Sequence, residues 1–156
     1  MRVGIFSDSH DRLDKIKHAM QYFAAADISK LVCAGDIVAP FAARLFLSDR
    51  WQIHCVYGNN DGERKGLKNV LVEICDPPLV VQADEKRLLV VHSEDQLPSS
   101  IQSFSLVVFG HSHQTSLQRE GEVQLLNPGE LCGYLTGKSS IALWDTSTNK
   151  IDIIWI

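Results

Sequence analysis

Val3-Gly4-Ile5-Phe6-Ser7-Asp8-Ser9-His10-Asp11, close to the start of the chain, carries the pattern that decides the fold. Val3 to Phe6 reads as a short buried strand, and the polar run after it reads as a loop at the strand's carboxyl end. The pattern returns twice. Lys30 to Ala34 runs into Gly35-Asp36-Ile37-Val38-Ala39-Pro40, and Gln52 to Tyr57 runs into Gly58-Asn59-Asn60-Asp61. Between the first two, Leu13, Ile16, Met20 and Phe23 fall on one face of an amphipathic helix, with Asp11 placed to cap it and an Ala-rich turn before Asp27 to end it. Pro40 is placed to open another helix over Phe41 to Leu47. The first third therefore reads β-α-β-α-β.

Beyond it, strand and turn signals take over. Leu79 to Gln82 and Arg87 to His92 flank the polar Ala83-Asp84-Glu85-Lys86 as a hairpin, and Leu106 to Phe109 is another buried run. Ser116 to Arg119 and Val123 to Leu126 flank Glu120-Gly121-Glu122; Ser140 to Trp144 and Ile151 to Ile156 flank a turn at Thr146 to Asn149. The last run, IDIIWI, suits either the finishing strand of a sheet or the seal of a homo-oligomer, and the sequence does not choose. No repeat, low-complexity stretch or Gly/Ser linker interrupts the chain, so residues 1–156 read as one α/β domain with two sheets, helices outside and hairpins late.

At 156 residues and 45% hydrophobic, the chain can bury a sizeable core without staples. Cys33, Cys55, Cys75 and Cys132 are scattered without a C-x-x-C pair and read as reduced thiols. With no secretory apolar segment and no membrane-length run, the expectation is a cytoplasmic protein without a membrane partner. A net charge of -4 gives no general attraction to nucleic-acid backbones, so no nucleic-acid partner is expected. An anionic substrate would need local positive charge.

The unusual residues cluster at strand ends: Asp8-Ser9-His10, Gly35-Asp36, Gly58-Asn59, His92, and Gly110-His111-Ser112-His113. Loops at the carboxyl ends of strands in an open α/β sheet converge on one crevice. In an extended segment, D-x-H or H-x-H would aim both side chains to one side. The candidate ligands are Asp8, His10, Asp36, Asn59, His92, His111 and His113, a mixed oxygen and nitrogen set without thiolate. Such a set suits manganese, iron, cobalt, nickel or zinc in an open site rather than a closed structural zinc. Seven ligands exceed one tetrahedral ion, but two ions can share them if a carboxylate bridges, and Asp36 sits best for that. Two ions about 3.5–4 Å apart can activate a shared water and clamp both oxygens of an in-line displacement at phosphorus. Plainer readings compete: His18 and His54 suit structural roles, Phe6, Phe23, Trp51 and Trp144 suit the core or the cover of a sheet, and Asn127-Pro128-Gly129 alone is a tight turn.

Taken in order, D-x-H, G-D, G-N-x-D, H and G-H-x-H resemble the calcineurin-like metallophosphoesterases. Asn127-Pro128-Gly129-Glu130 resembles the N-P-G element of their small bacterial and archaeal phosphodiesterase branch, the YfcE-like proteins. The resemblance implies a four-layer α-β-β-α sandwich, the metallo-dependent phosphatase fold. Asp8, His10, Asp36 and His113 would hold one divalent ion; Asp36, Asn59, His92 and His111 would hold a second. Manganese is the first expectation, with nickel, iron, cobalt or zinc as alternatives. The implied activity is hydrolysis of a small phosphodiester or phosphomonoester by a hydroxide bridging the two ions, with Asp36, Asn59, Asn60 and His92 as catalytic residues and no phosphoenzyme. The alternative is a Vps29-like protein-interaction scaffold with a vestigial or regulatory metal site, against which the intact Asp36 and Asn59 count.

Two positions depart from the family pattern. Ser93 follows His92 where relatives carry glycine, and Asn60 stands where many carry the histidine that protonates the leaving group. An amide donates a hydrogen bond but gives up no proton at neutral pH. Asn60→His is therefore expected to raise turnover of alkyl phosphates relative to aryl phosphates, read as the ratio of kcat/KM; an unchanged ratio would rule this account out.

Overall fold

In the computed structural model, which describes residues 1–156, the three early strands lie side by side. β1 (Arg2–Phe6), β2 (Lys30–Cys33) and β3 (Gln52–Cys55) pair in parallel. β9 (Ser140–Asp145) pairs antiparallel to β1, and β10 (Lys150–Trp155) pairs antiparallel to β9, so the first sheet runs β10-β9-β1-β2-β3. The C-terminal run thus finishes a sheet as its edge strand. A second sheet runs β4 (Leu79–Ala83), β5 (Lys86–Val90), β6 (Leu106–Val108), β8 (Val123–Pro128) and β7 (Thr115–Glu120). Its centre, β5-β6-β8, is parallel, and each outer strand joins by an antiparallel hairpin.

Strand alternation sorts the apolar residues into layers. Val3, Ile5, Val32 and Ala34 of the first sheet meet Leu88, Val90, Leu106, Val108 and Leu126 of the second, with Trp144 buried among them. The opposite face of the first sheet turns Phe6, Leu31, Cys33 and Ile141 towards Ile16, Ala19 and Phe23 of α1 (Leu13–Ala25), Ala42 and Ala43 of α2 (Pro40–Ala43), and Leu67 of α3 (Arg64–Val70). The α-β-β-α order holds, with a thin fourth layer. On the far face of the second sheet, Leu89, Val91, Val107, Phe109 and Val123 are covered by Ile101, Leu97 and Phe104, from the segment that holds the 3-10 turn Glu94–Gln96.

Two local expectations are corrected. Asp11 does not cap α1; its Oδ1 accepts from the Ala39 amide at 2.9 Å, tying the loop after β1 to the loop after β2. The helix after Pro40 is one α-turn followed by a 3-10 turn, Arg44–Phe46, and not a single helix to Leu47. α3 has no counterpart among the sequence expectations, because RKGLKNV has Leu67 as its one buried residue and a glycine at its third position. All four cysteines are free, with Cys33, Cys55 and Cys132 buried. No helix is long and apolar enough to cross a membrane.

Trp144 lies between the sheets with its indole N–H donated to Asn149 Oδ1 at 3.1 Å. Trp144→Ala should cost about 3–5 kcal/mol and lower the urea midpoint accordingly; a loss under about 1 kcal/mol would show that the sheets pack independently of it.

Candidate metal centre

Every candidate ligand hangs from the carboxyl end of a parallel strand: β1, β2, β3, β5 or β6. Backbone hydrogen bonds lock their loops together: Asp8 N to Gly35 O at 3.1 Å, His10 N to Asp36 O at 3.1 Å, and Gly110 N to His92 O at 2.9 Å. The Asp61 carboxylate, buried beneath, accepts from the amides of Asp36 (3.0 Å), Ile37 (2.8 Å), Val38 (2.7 Å) and Gly58 (2.7 Å). Glycine is required at two crossings. A Cβ at Gly58 would overlap the Asp36 carboxylate, and one at Gly110 would overlap the Ser7 hydroxyl and Asp8 Oδ2.

The extended geometry expected of D-x-H and H-x-H is not what aims these side chains. Asp8 (φ 52°), His10 (38°), Asp36 (56°), His111 (65°) and His113 (63°) are all left-handed. Residues with a Cβ seldom adopt that region, and such strain persists only where the surroundings hold it. Tight left-handed turns, not pleat alternation, converge the donors.

Asp8, His10, Asp36 and His113 each offer a donor atom, and these atoms all lie within 4.8 Å of one another. Asp36 Oδ2 faces His10 Nε2 at 3.5 Å, and Asp36 Oδ1 faces His92 Nε2 at 3.6 Å. Around that second oxygen, Asn59 Oδ1 lies 2.8 Å from His92 Nε2 and 2.9 Å from His111 Nδ1. All seven residues thus meet in two groups that share Asp36. The group with Asp8 is the more enclosed, whereas Asn59 and His111 are exposed.

The donor set fits a cation. Asp8 Oδ1 and His10 Nε2 are buried without a hydrogen-bond partner, an arrangement costly for a polar atom. His92 Nδ1 lies 2.7 Å from the Ala34 carbonyl, which can only accept, so in the neutral ring Nε2 presents a lone pair to the oxygens of Asn59 and Asp36. His113 Nδ1 likewise lies 2.7 Å from Glu130 Oε2, turning Nε2 towards Asp8 Oδ1 at 3.5 Å. Lone pairs face lone pairs, and positive charge between them resolves the conflict. Burial pushes the Asp8 carboxyl above its usual range, and the Ser7 hydroxyl, His113 and His92 offset that only in part.

Residues around the seven donors hold them in place. Asn60 donates its amide to Asp36 Oδ1 (2.8 Å) and its Nδ2 to Asp36 Oδ2 (2.7 Å), so the residue that departs from the pattern grips the shared carboxylate. Ser93, in place of glycine, needs no special backbone (φ -127°) and caps the turn Glu94–Gln96 with Gln96. Glu130, wholly buried, accepts from His113 Nδ1, Cys132 Sγ (3.1 Å), the amides of Tyr134 (3.1 Å), Leu135 (3.0 Å) and Thr136 (2.6 Å), and the Thr136 hydroxyl (2.7 Å). A carboxylate that orients a ligating histidine through its second nitrogen is a recurrent support of metal sites. An acidic residue directly after the N-P-G turn was its one trace in the sequence. His18 is exposed on α1, and His54 is half-buried in β3, away from this cluster.

A model of the calcineurin-like phosphoesterase superfamily domain matches residues 1–149. The chain belongs to the calcineurin-like phosphoesterase superfamily. It is 35% identical over 159 residues to the phosphodiesterase MJ0936 of Methanocaldococcus jannaschii, covering 96% of each protein. The solved structure of an archaeal phosphodiesterase superposes over the full length of both chains with a TM-score of 0.89 at 32% identity. YfcE, a phosphoesterase from E. coli, shares the fold over 99% of this chain and 98% of its own, with a TM-score of 0.74 at 22% identity. Within this phosphoesterase, the donors therefore sit on a fold associated with divalent ions.

For Glu130, burial acts to raise the carboxyl pKa, but hydrogen bonds from His113, Thr136 and Cys132 outweigh it and hold the group down to about 2. A folded-state value below the unfolded one stabilises the fold above the unfolded pKa, and that stability is lost as pH falls towards the folded value. The difference in urea midpoint between wild type and Glu130→Gln should be full at neutral pH and shrink from about pH 5 to about pH 2.5. A pH-independent difference would mean that the carboxylate charge contributes nothing.

Proposed function

We propose that this metal-dependent phosphoesterase hydrolyses a small phosphodiester at a centre of two divalent ions, with residues 1–156 acting as a single domain. Asp8, His10, Asp36 and His113 would hold one ion, and Asp36, Asn59, His92 and His111 the other. The carrying observation is the set of mutually facing donors around Asp36, two of them unpartnered, with the two Asp36 oxygens looking into both groups. Ions held here would supply Lewis acidity and a water of lowered pKa. The oxygen and nitrogen donors suit manganese first, with nickel, iron, cobalt or zinc as further candidates.

The chain's own residues divide the remaining work. Asn60 fixes the Asp36 carboxylate through two hydrogen bonds and has no proton to give, so leaving groups that need no protonation are favoured. Glu130 and the Ala34 carbonyl set the rings of His113 and His92 with their Nε2 atoms inward. The preference for a diester rests on shape. Two pockets adjoin the Gly110–His113 loop, one of about 480 Å³ walled by His113 and one of about 160 Å³ walled by His111. A diester has two arms to place, and a monoester has one. A protein-interaction scaffold would gain nothing from a buried unpartnered carboxylate oxygen such as Asp8 Oδ1.

Metal analysis of the purified protein should find two ions per chain after loading with manganese, and bis(4-nitrophenyl) phosphate should turn over faster than 4-nitrophenyl phosphate. Asp36→Asn should lower diester turnover by more than about a hundredfold, beyond the loss typical of an outer hydrogen-bonding partner. No turnover with manganese, nickel, cobalt, iron or zinc would favour the scaffold.

A further inference from the structure

The larger of the two pockets has walls that hold none of the other six candidate ligands. Beside His113 it is lined by Gln114, Thr115, Thr136, Lys138, Ser140 and Trp155. The hydroxyls of Thr136 and Ser140 are engaged, with Glu130 Oε1 and the Pro128 carbonyl respectively. Trp155, Lys138 and Gln114 are not so engaged. The other two tryptophans donate their indole N–H groups, Trp51 to the Phe46 carbonyl at 2.9 Å and Trp144 to Asn149 Oδ1 at 3.1 Å. Trp155 instead lies 56% exposed at the end of β10, with an unpartnered N–H and the Lys138 ammonium 5.7 Å from the centre of its ring. A large flat ring exposed beside a cation without a carboxylate partner, in a pocket walled by His113, has the form of an aromatic stacking platform.

We propose that this pocket receives one arm of the diester and that the arm is nucleoside-like: a flat heteroaromatic ring stacked on Trp155, with its oxygens turned to the donors of Lys138 and Gln114. The assignment rests on the phosphodiesterase reading above. Size and charge separate the two pockets. The pocket beside His111 is one third as large, has no cation in its walls and carries Glu94, so it suits a small uncharged arm. The Glu130 carboxylate holds both His113 and the backbone of Tyr134 to Thr136, which fixes the wall of the larger pocket relative to the metal centre. Trp155 pairs with Ser140 across β9 and β10, and the Ser140 amide donates to the Glu130 carbonyl at 3.1 Å, so a ring on Trp155 would sit at a fixed offset from His113.

Thymidine 5′-(4-nitrophenyl phosphate) and methyl 4-nitrophenyl phosphate share a leaving group and differ in the arm tested. With the manganese-loaded enzyme, Trp155→Ala should raise the KM for the thymidine ester roughly tenfold more than that for the methyl ester, and Trp155→Phe should recover most of the difference. Independently of turnover, thymidine 5′-monophosphate should quench the tryptophan fluorescence of the wild-type protein with no metal added, and the quench should vanish in Trp155→Phe. Equal KM changes for the two esters, or a quench that survives Trp155→Phe, would overturn the assignment. If neither ester is hydrolysed but the Trp155-dependent quench is present, the nucleoside pocket stands and the hydrolase reading falls.

Discussion

Four backbone amides from two different loops converge on one buried carboxylate, that of Asp61, and the rest of the site follows from that clamp. Its partners include the amide of Asp36 itself and that of Gly58, the residue before Asn59. The clamp therefore sets the spacing between the two loops that supply the shared carboxylate and the amide oxygen. Charge-assisted hydrogen bonds from backbone donors are strong, and three of the four here are buried. Asn60 then acts from above what Asp61 holds from below, gripping both oxygens of Asp36. With Asp36 held on two sides, the histidines of the first, fourth and fifth loops need only reach a fixed point.

The electrostatics are consistent with chemistry on an anion by an acidic protein. The chain as a whole carries a net charge of -4, whereas the cluster is defined by donors whose lone pairs oppose one another. Loading such a cluster with cations changes the sign of the field locally and leaves the outer surface as it was. The residues that orient the rings, Glu130 and the Ala34 carbonyl, do so from the side away from the centre, so they leave the inward nitrogens free. This division between atoms that face the reaction and atoms that face the protein accounts for the dense hydrogen bonding around Glu130.

The sequence disclosed the site better than it disclosed the means of building it. Strand ends were readable because apolar runs such as Val3 to Phe6 and Leu106 to Val108 stop abruptly at polar residues, and parallel strands put their carboxyl ends on one side. The left-handed turns at Asp8, His10 and Asp36 were not readable, since a positive φ at aspartate or histidine is imposed by tertiary contacts and leaves no mark in composition. Glu130 was hidden for a similar reason: its value comes from six donors brought together by the folded loop. α3 was missed because its one buried residue produces no period, and the thin fourth layer because a 3-10 turn and a loop can cover a sheet face without helical patterning.

The left-handed backbone at five of the seven donors has a consequence for how the protein takes up metal. In a small zinc-folded domain, the ion pays the ordering entropy and the apo chain is unstructured. Here the cores between the sheets and under the helices are assembled from apolar side chains outside the donor set, and the turns are already wound against them. Metal uptake then resembles filling a rigid socket more than nucleating a fold. A chelator should be able to empty the socket and leave a folded chain behind, and the cell could exchange one divalent ion for another without refolding the protein.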